Sequence, residues 1–323
     1  MLAAVLVSTV EARGQEPKQA HAAFVEGRPT IDGALDDSIW EHAQVVSGFI
    51  QVEPHEGAPP SFETEVRFVT NAESLFISFR GYDPDPNGIV ANLMERDADL
   101  SYDDNFAIVL DTFDDKRNGY LFQVNPNAAR RDATFEGAQI DYNWEGIWFA
   151  EARIGKSGWT AEIEIPFKTL SLRKGSNVWG MNAARRVRRL NEDDRWVNPS
   201  IDQKLFNMGG AGELIGLSKA NQGIGLDLVP GASVRYLDEP SRHIDKAKFE
   251  PSFDAFYKLL PSLTTSLTVN TDFVGTETDL LRVNLTRFAL FFPEKRQFFL
   301  EGAGIFDFGG LRKENGIPFF SRR

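Results

Sequence analysis

The side chains in this chain best suited to chemistry are carboxylates, arginines and tryptophans. Acidic pairs occur at Asp103-Asp104, Asp114-Asp115 and Asp193-Asp194. Cleavage of a glycosidic bond needs two carboxyl groups about 5 to 9.5 Å apart across one site. Neighbours in a strand point to opposite faces, so none of these pairs meets that need by itself. The four histidines, His21, His42, His55 and His243, have no metal-binding spacing. There is no cysteine to supply a thiolate ligand, a nucleophile or a disulfide. Neither a Gly-x-Ser-x-Gly elbow nor a phosphate-binding loop occurs. Trp144 and Trp148 lie four residues apart and share a face if their segment is extended. They can offer ring faces to a ligand or fill a core. The run Arg185-Arg186-Val187-Arg188-Arg189 reads as an anion site or as a strand charged on both faces, with Glu192, Asp193 and Asp194 close behind it.

The scaffold that must position these groups reads as β structure. From Ile31 to Gly216 the sequence breaks into short strands separated by turn signals, the pattern of an antiparallel sandwich. Trp159, Ala161, Ile163 and Ile165 alternate with Thr160, Glu162 and Glu164. Leu75, Ile77 and Phe79 alternate with Phe76, Ser78 and Arg80. Strands at Phe106–Leu110 and Tyr120–Val124 are predicted to join through a hairpin loop ending in an Asn118-Gly119 turn. Residues 35–45 suggest a helical turn or two, and the polar residues 10–25 read as a linker.

Two regions differ in composition. Residues 1–224 hold 22 Lys+Arg against 34 Asp+Glu, and all six tryptophans; residues 225–323 hold 13 of each charge. The acidic first region would repel a polyanion, which argues against nucleic acid as a partner. The first nine residues, MLAAVLVST, resemble the apolar core of a signal peptide, so export is expected. Glycine-rich residues 204–223 mark a junction. Beyond it Leu263, Thr265, Leu267 and Val269 alternate with small polar residues, and Leu281, Val283 and Leu285 do the same. One apolar face and one polar face suit strands of a membrane barrel or of a second soluble sandwich. A barrel needs at least eight strands, so a barrel beginning here is expected to be truncated. The domains predicted are a signal-peptide remnant and linker (1–21), a sandwich (22–216), and the first strands of a barrel (217–323).

Two stretches carry a family resemblance. The segment Ile31-Asp32-Gly33-Ala34-Leu35-Asp36-Asp37-Ser38-Ile39-Trp40, with Ala43, resembles the opening of family 9 carbohydrate-binding modules. The stretch from Val283-Asn284-Leu285 through Phe291-Phe292-Pro293-Glu294-Lys295-Arg296 to Phe319-Phe320-Ser321-Arg322-Arg323 resembles the barrel start in a group of bacterial outer-membrane proteins that carry such a module. Landmarks between them, among them Arg96-Asp97, Val124-Asn125-Pro126, Trp144 with Trp148, and Ile165-Pro166-Phe167, match the same group.

The resemblance implies carbohydrate binding, accessory to polysaccharide breakdown, at the outer membrane, with the module in the periplasm or at the cell surface. It implies that Trp144 and Trp148 clamp a sugar, with polar partners among Arg96, Asp97, Asp104, Asn125 and Arg185. It also raises a structural calcium ion, with oxygen donors available on Asp83, Asp85, Asp97, Asp99, Asp103 and Asp104. No spacing among these matches a defined calcium loop, so no ligand is assigned. Two rival functions stand beside binding: a glycoside hydrolase with its active residues in loops, and a transport protein whose sandwich gates the barrel.

Overall fold

The computed structural model describes residues 17–173, 175–221, 226–239, 244–260 and 263–270. The signal-like residues 1–16, the alternation at Leu281–Leu285 and the resemblance from Val283 onward lie outside the described residues. The chain is all-β. Thirteen strands form one curled sheet: β1 (Gln19–Phe24), β2 (Ile50–Glu53), β3 (Thr64–Thr70), β4 (Ser74–Tyr82), β5 (Asn105–Asp111), β6 (Asn118–Val124), β7 (Arg130–Glu136), β8 (Gln139–Asp141), β9 (Phe149–Gly155), β10 (Gly158–Pro166), β11 (Val178–Val187), β12 (Glu192–Arg195) and β13 (Gly212–Ile215). Their order is β8-β7-β6-β5-β11-β13-β1-β3-β4-β10-β9, with β12 bridging β11 and β2.

The curl makes two layers, and β1 is the seam. Gln19, Ala20 and His21 pair with β13, whereas Ala22, Ala23 and Phe24 pair with β3, both in parallel. The sheet is therefore mixed rather than wholly antiparallel. The polar residues 10–25 do not form a linker throughout, because Ala20 and Ala22 are small enough to bury between the layers. This strand carries the sandwich back to Gln19, ahead of the boundary expected at residue 22.

Apolar positions at period two fill the space between the layers. Leu75, Ile77 and Phe79 of β4 meet Ala161, Ile163 and Ile165 of β10 in register, all fully buried. Phe79 stacks on Phe106 at 4.5 Å and meets Trp159 at 4.4 Å. Burying each such aromatic ring contributes a few kcal/mol, so this core carries most of the sandwich's stability. Between β5 and β6 the chain turns earlier than expected. Asp111 accepts from the backbone N–H groups of Phe113, Asp115 and Lys116, and Asp115 from those of Arg117 and Asn118. Asn118 and Gly119 already belong to β6, since these carboxylates close the turn before them. The expected helical turn is a single 3-10 turn, Ser38–His42.

A separate three-stranded antiparallel sheet follows: β14 (Leu226–Glu239), β15 (Ile244–Leu260) and β16 (Leu263–Val269).

Candidate functional site

The alternation of β10 places Glu162 and Glu164 on the outer face of their layer, yet both are buried. The segment from Val25 to Ala43 lies over them. Glu162 Oε2 accepts from the backbone N–H groups of Asp32 (3.0 Å) and Gly33 (2.9 Å), and Oε1 accepts from Trp40 Nε1 (2.8 Å). Burial raises its pKa, against these three donors, which favour the charged form. Gly33 has φ +82°, and a Cβ there would meet the Ala152 backbone at 2.9 Å. Glycine is required on both counts. Trp40 packs with Ala43, Val69 and Phe76 as a small outer core. The opening motif is thus a structural plug over the sheet.

Beside the plug lies a cleft of about 600 Å³, lined by Arg28, Ile31, Ala128, Arg130, Phe149, Glu151 and Glu164. It forms where edge strand β9 comes alongside the start of β7. Trp148 and Ala150 point inward, so Phe149 and Glu151 must point out; Phe149 is 49% exposed. Arg28 pairs with Glu164 at 3.0 Å, and the other Glu164 oxygen accepts from the Ser74 hydroxyl at 3.0 Å. Arg130 donates to the carbonyl oxygen of Trp148, and its guanidinium lies 5.6 Å from that ring's centroid. Burial, and then the nearby Arg96 charge, lower the pKa of Arg130. An exposed ring flanked by two arginines and two carboxylates can stack on an apolar ring face and take surrounding hydroxyls.

The predicted site residues fall behind this cleft or away from it. Asn125 is fully buried; its Nδ2 donates to Leu93 O (2.8 Å) and Asp103 Oδ2 (2.9 Å), and its Oδ1 accepts from Asn127 and Ala129. It shapes the turn that holds Ala128 at φ +59° on the cleft wall. Arg96 donates to Asp132 (2.8 Å) and to the Gly146 carbonyl (3.0 Å), which fixes the segment leading to Trp148. Burial raises the pKa of Asp132, opposed by the Gly146 N–H and by Arg96.

The two tryptophans do not form an open platform. Trp148 is 1% exposed and meets Phe122 edge-on at 5.2 Å, while Trp144 packs against Tyr120 at 5.0 Å. Alternation turns Trp148 into the sandwich because its neighbour Phe149 begins the outward face of β9. Arg185 and Asp104 are also fully buried, apart from the cleft. Arg185 donates to Glu63 O, Thr64 Oγ1 and Tyr82 O, and Asp104 accepts from the Arg188 N–H. The arginine run is therefore internal wiring at its start and ion-paired further on, Arg186 with Asp193 and Arg189 with Asp83. Sequence reasoning missed Arg28, Arg130, Phe149, Glu151 and Glu164. The usable signal was Phe149: once Trp148 is assigned to the core, the next aromatic must face solvent.

Four of the aspartates considered for calcium already have partners in the structure. Asp83 is paired with Arg189, Asp97 with Arg96 and Asp99 with Arg131. Asp103 accepts from the Asn92 and Leu93 N–H groups and from Asn125. Asp104 accepts the Arg188 N–H at one oxygen, and its other oxygen is buried with no partner among the described residues. Among the described residues no group of three or more His, Asp or Glu side chains is placed to hold a metal ion.

Comparison with known proteins adds three findings. Residues 223–323 match the family described as "Domain of unknown function (DUF5916)". No curated protein matches the chain. Among solved structures, a proposed carbohydrate-binding protein from Bacteroides uniformis is 10% identical, with TM-score 0.52, over 62% of this chain and 99% of that one. A family 9 carbohydrate-binding module from Caldicellulosiruptor kristjanssonii is 16% identical over 61% of this chain. Solved with cellotriose it is covered to 93% at TM-score 0.45, and solved with glucose to 95% at 0.46. The Bacteroides likeness shows the fold of the sandwich.

Proposed function

We propose that the sandwich binds a saccharide in the cleft around Phe149. The observation that carries this reading is the half-exposed Phe149 ring in an open cleft, with Arg28, Arg130, Glu151 and Glu164 around it. The volume falls in the range of small-molecule sites, about 300–1,000 Å³. The Bacteroides neighbour, described as a proposed carbohydrate-binding protein, supports the reading through its shared fold. Binding is favoured over bond cleavage. Both oxygens of Glu164 are engaged as acceptors, from Arg28 and Ser74, so it links the plug to the sheet rather than offering a proton. Calorimetric titration of the full chain with glucose and cellotriose tests the proposal. Saturating heat for the wild type with a Kd about two- to tenfold weaker for Phe149→Ala supports it; equal binding by both proteins refutes the cleft.

A second reading concerns the three-stranded sheet, and its register favours it. On β15, Tyr257 pairs with Leu226, Ala255 pairs with Leu228 on one side and Leu267 on the other, and Phe253 pairs with Pro230 and Val269 in the same way. These rows share one face, and Leu226, Leu228, Phe253, Tyr257, Leu267 and Val269 are all exposed on it. The intervening rows bring Gly231, Ser252, Asp254, Ser266 and Thr268 to the other face, with Val229 among them. An apolar face on strands of 14 and 17 residues suits contact with lipid, which needs about 9–11 tilted residues per crossing. On this reading the module sits at an outer membrane, held there by these strands.

A further inference from the structure

A second feature, away from the cleft, lies where β12 joins β11 to β2. Asp194 faces Arg185 across one side of β12 and Gln51 across the other. It is fully buried, and neither of its oxygens receives an N–H or O–H from any described group. Arg185 does not supply one, because its NH1 and NH2 groups are turned to Glu63, Thr64 and Tyr82. Gln51 does not either, since its Nε2 donates to the Pro59 carbonyl. Glu192, two residues earlier on the same side of β12, is buried beside it. Glu192 accepts the Ser61 N–H (2.7 Å) and hydroxyl (2.5 Å) and is itself 2% exposed.

Two ionised carboxylates are both acceptors, so contact between them becomes a bond only when one carries a proton. The surroundings reinforce this. Asp83, Asp104, Glu192 and Asp194 are buried with one guanidinium group, Arg185, while Arg189 pairs with Asp83 from a part-exposed position. On the opposite face of β12, Asp193 pairs with Arg186, and Glu53 stands beside it on β2. Acid therefore exceeds base inside the sandwich.

We propose that Asp194 and Glu192 share one proton in the folded sandwich, so that folding near neutral pH takes up a proton. Burial first, and then the Glu192 charge, push the Asp194 carboxyl up to about 8. An unfolded aspartate titrates near 4, at about 3.9. Between these values the folded chain holds a proton that the unfolded chain has released. Stability therefore falls as pH rises from about 4 to about 8, is fully present below that window and levels off above it. The pair's own contribution to stability therefore grows as the surroundings acidify.

Urea unfolding of the full chain between pH 5 and 7.5, followed by tryptophan fluorescence, tests the shared proton. All six tryptophans lie between Trp40 and Trp196, so the signal reports the sandwich. The wild-type unfolding constant is expected to rise about tenfold more per pH unit than that of Asp194→Asn, one proton's worth of linkage. Parallel slopes overturn the proposal. Should Asp194→Asn fail to fold, Glu192→Gln removes the other half of the pair and is expected to lose the same slope. The series is repeated with EDTA and with calcium chloride. A wild-type slope unchanged by calcium supports the proton; a slope that calcium abolishes places a cation there and overturns it.

Discussion

Trp148 and Phe149 are adjacent and face opposite ways, so truncating each separates the core from the cleft. Trp148 is 1% exposed and packed on Phe122. Replacing it with alanine removes a large buried ring and leaves a cavity, a loss of about 3–5 kcal/mol. In a domain of roughly 200 residues each kcal/mol moves the melting temperature about 2–4 °C, so a fall of about 10 °C is expected. Phe149 already has 49% of its surface in solvent. With full burial of a phenylalanine worth about 1.5–3 kcal/mol, its truncation is expected to cost about 1 kcal/mol of stability. Its effect belongs in affinity instead: loss of a stacking ring is worth about 0.5–1.5 kcal/mol beyond area, about two- to tenfold in Kd. Melting followed by tryptophan fluorescence and titration with glucose and cellotriose read both quantities on the same samples. If Phe149→Ala destabilises as much as Trp148→Ala, the ring is core. If it leaves a measurable affinity unchanged, the cleft is not the site.

Three further outcomes are expected. Glu162→Ala strips the acceptor from Trp40, Asp32 and Gly33 and is expected to cost about 2–4 kcal/mol, seen as a lowered melting temperature. Ala128→Gly relieves a left-handed residue and is expected to raise stability by about 0.5–1 kcal/mol, since alanine is disfavoured there; a lowered melting temperature would show that the turn is not strained. The full chain is expected to co-float with phospholipid vesicles in a density gradient, and Leu228→Asp with Leu267→Asp to weaken that association. Flotation unaffected by the double change counts against the lipid-facing sheet.

The strands were legible because period-two alternation depends only on each strand's own sequence. Trp159, Ala161, Ile163 and Ile165 could be read directly for this reason. Glu162 could not, because its burial depends on a loop more than a hundred residues away closing over it. The parallel pairing of β1 was hidden similarly, since Ala20 and Ala22 carry too little apolar character to announce a strand. The cleft joins residues 28–31, 128, 130 and 149–151 with Glu164, none of which forms a motif. The matched landmarks were informative about place rather than role: Arg96, Asn125 and Trp148 are the frame that holds the cleft wall.

The parallel seam also sets an order of events in synthesis. Gln19 pairs with Glu213, and their side chains bond across 194 residues of chain. The first strand is made early and must wait for nearly the last strand of the sandwich before both its edges are filled. Contacts this distant in sequence slow folding, since a long loop must close before any of them form. A chain interrupted before Gly212 would expose the Gln19–His21 edge as a template for pairing with other chains. The sandwich is thus closed by its own two ends, and release of residue 215 from the ribosome is the earliest moment at which it can become complete.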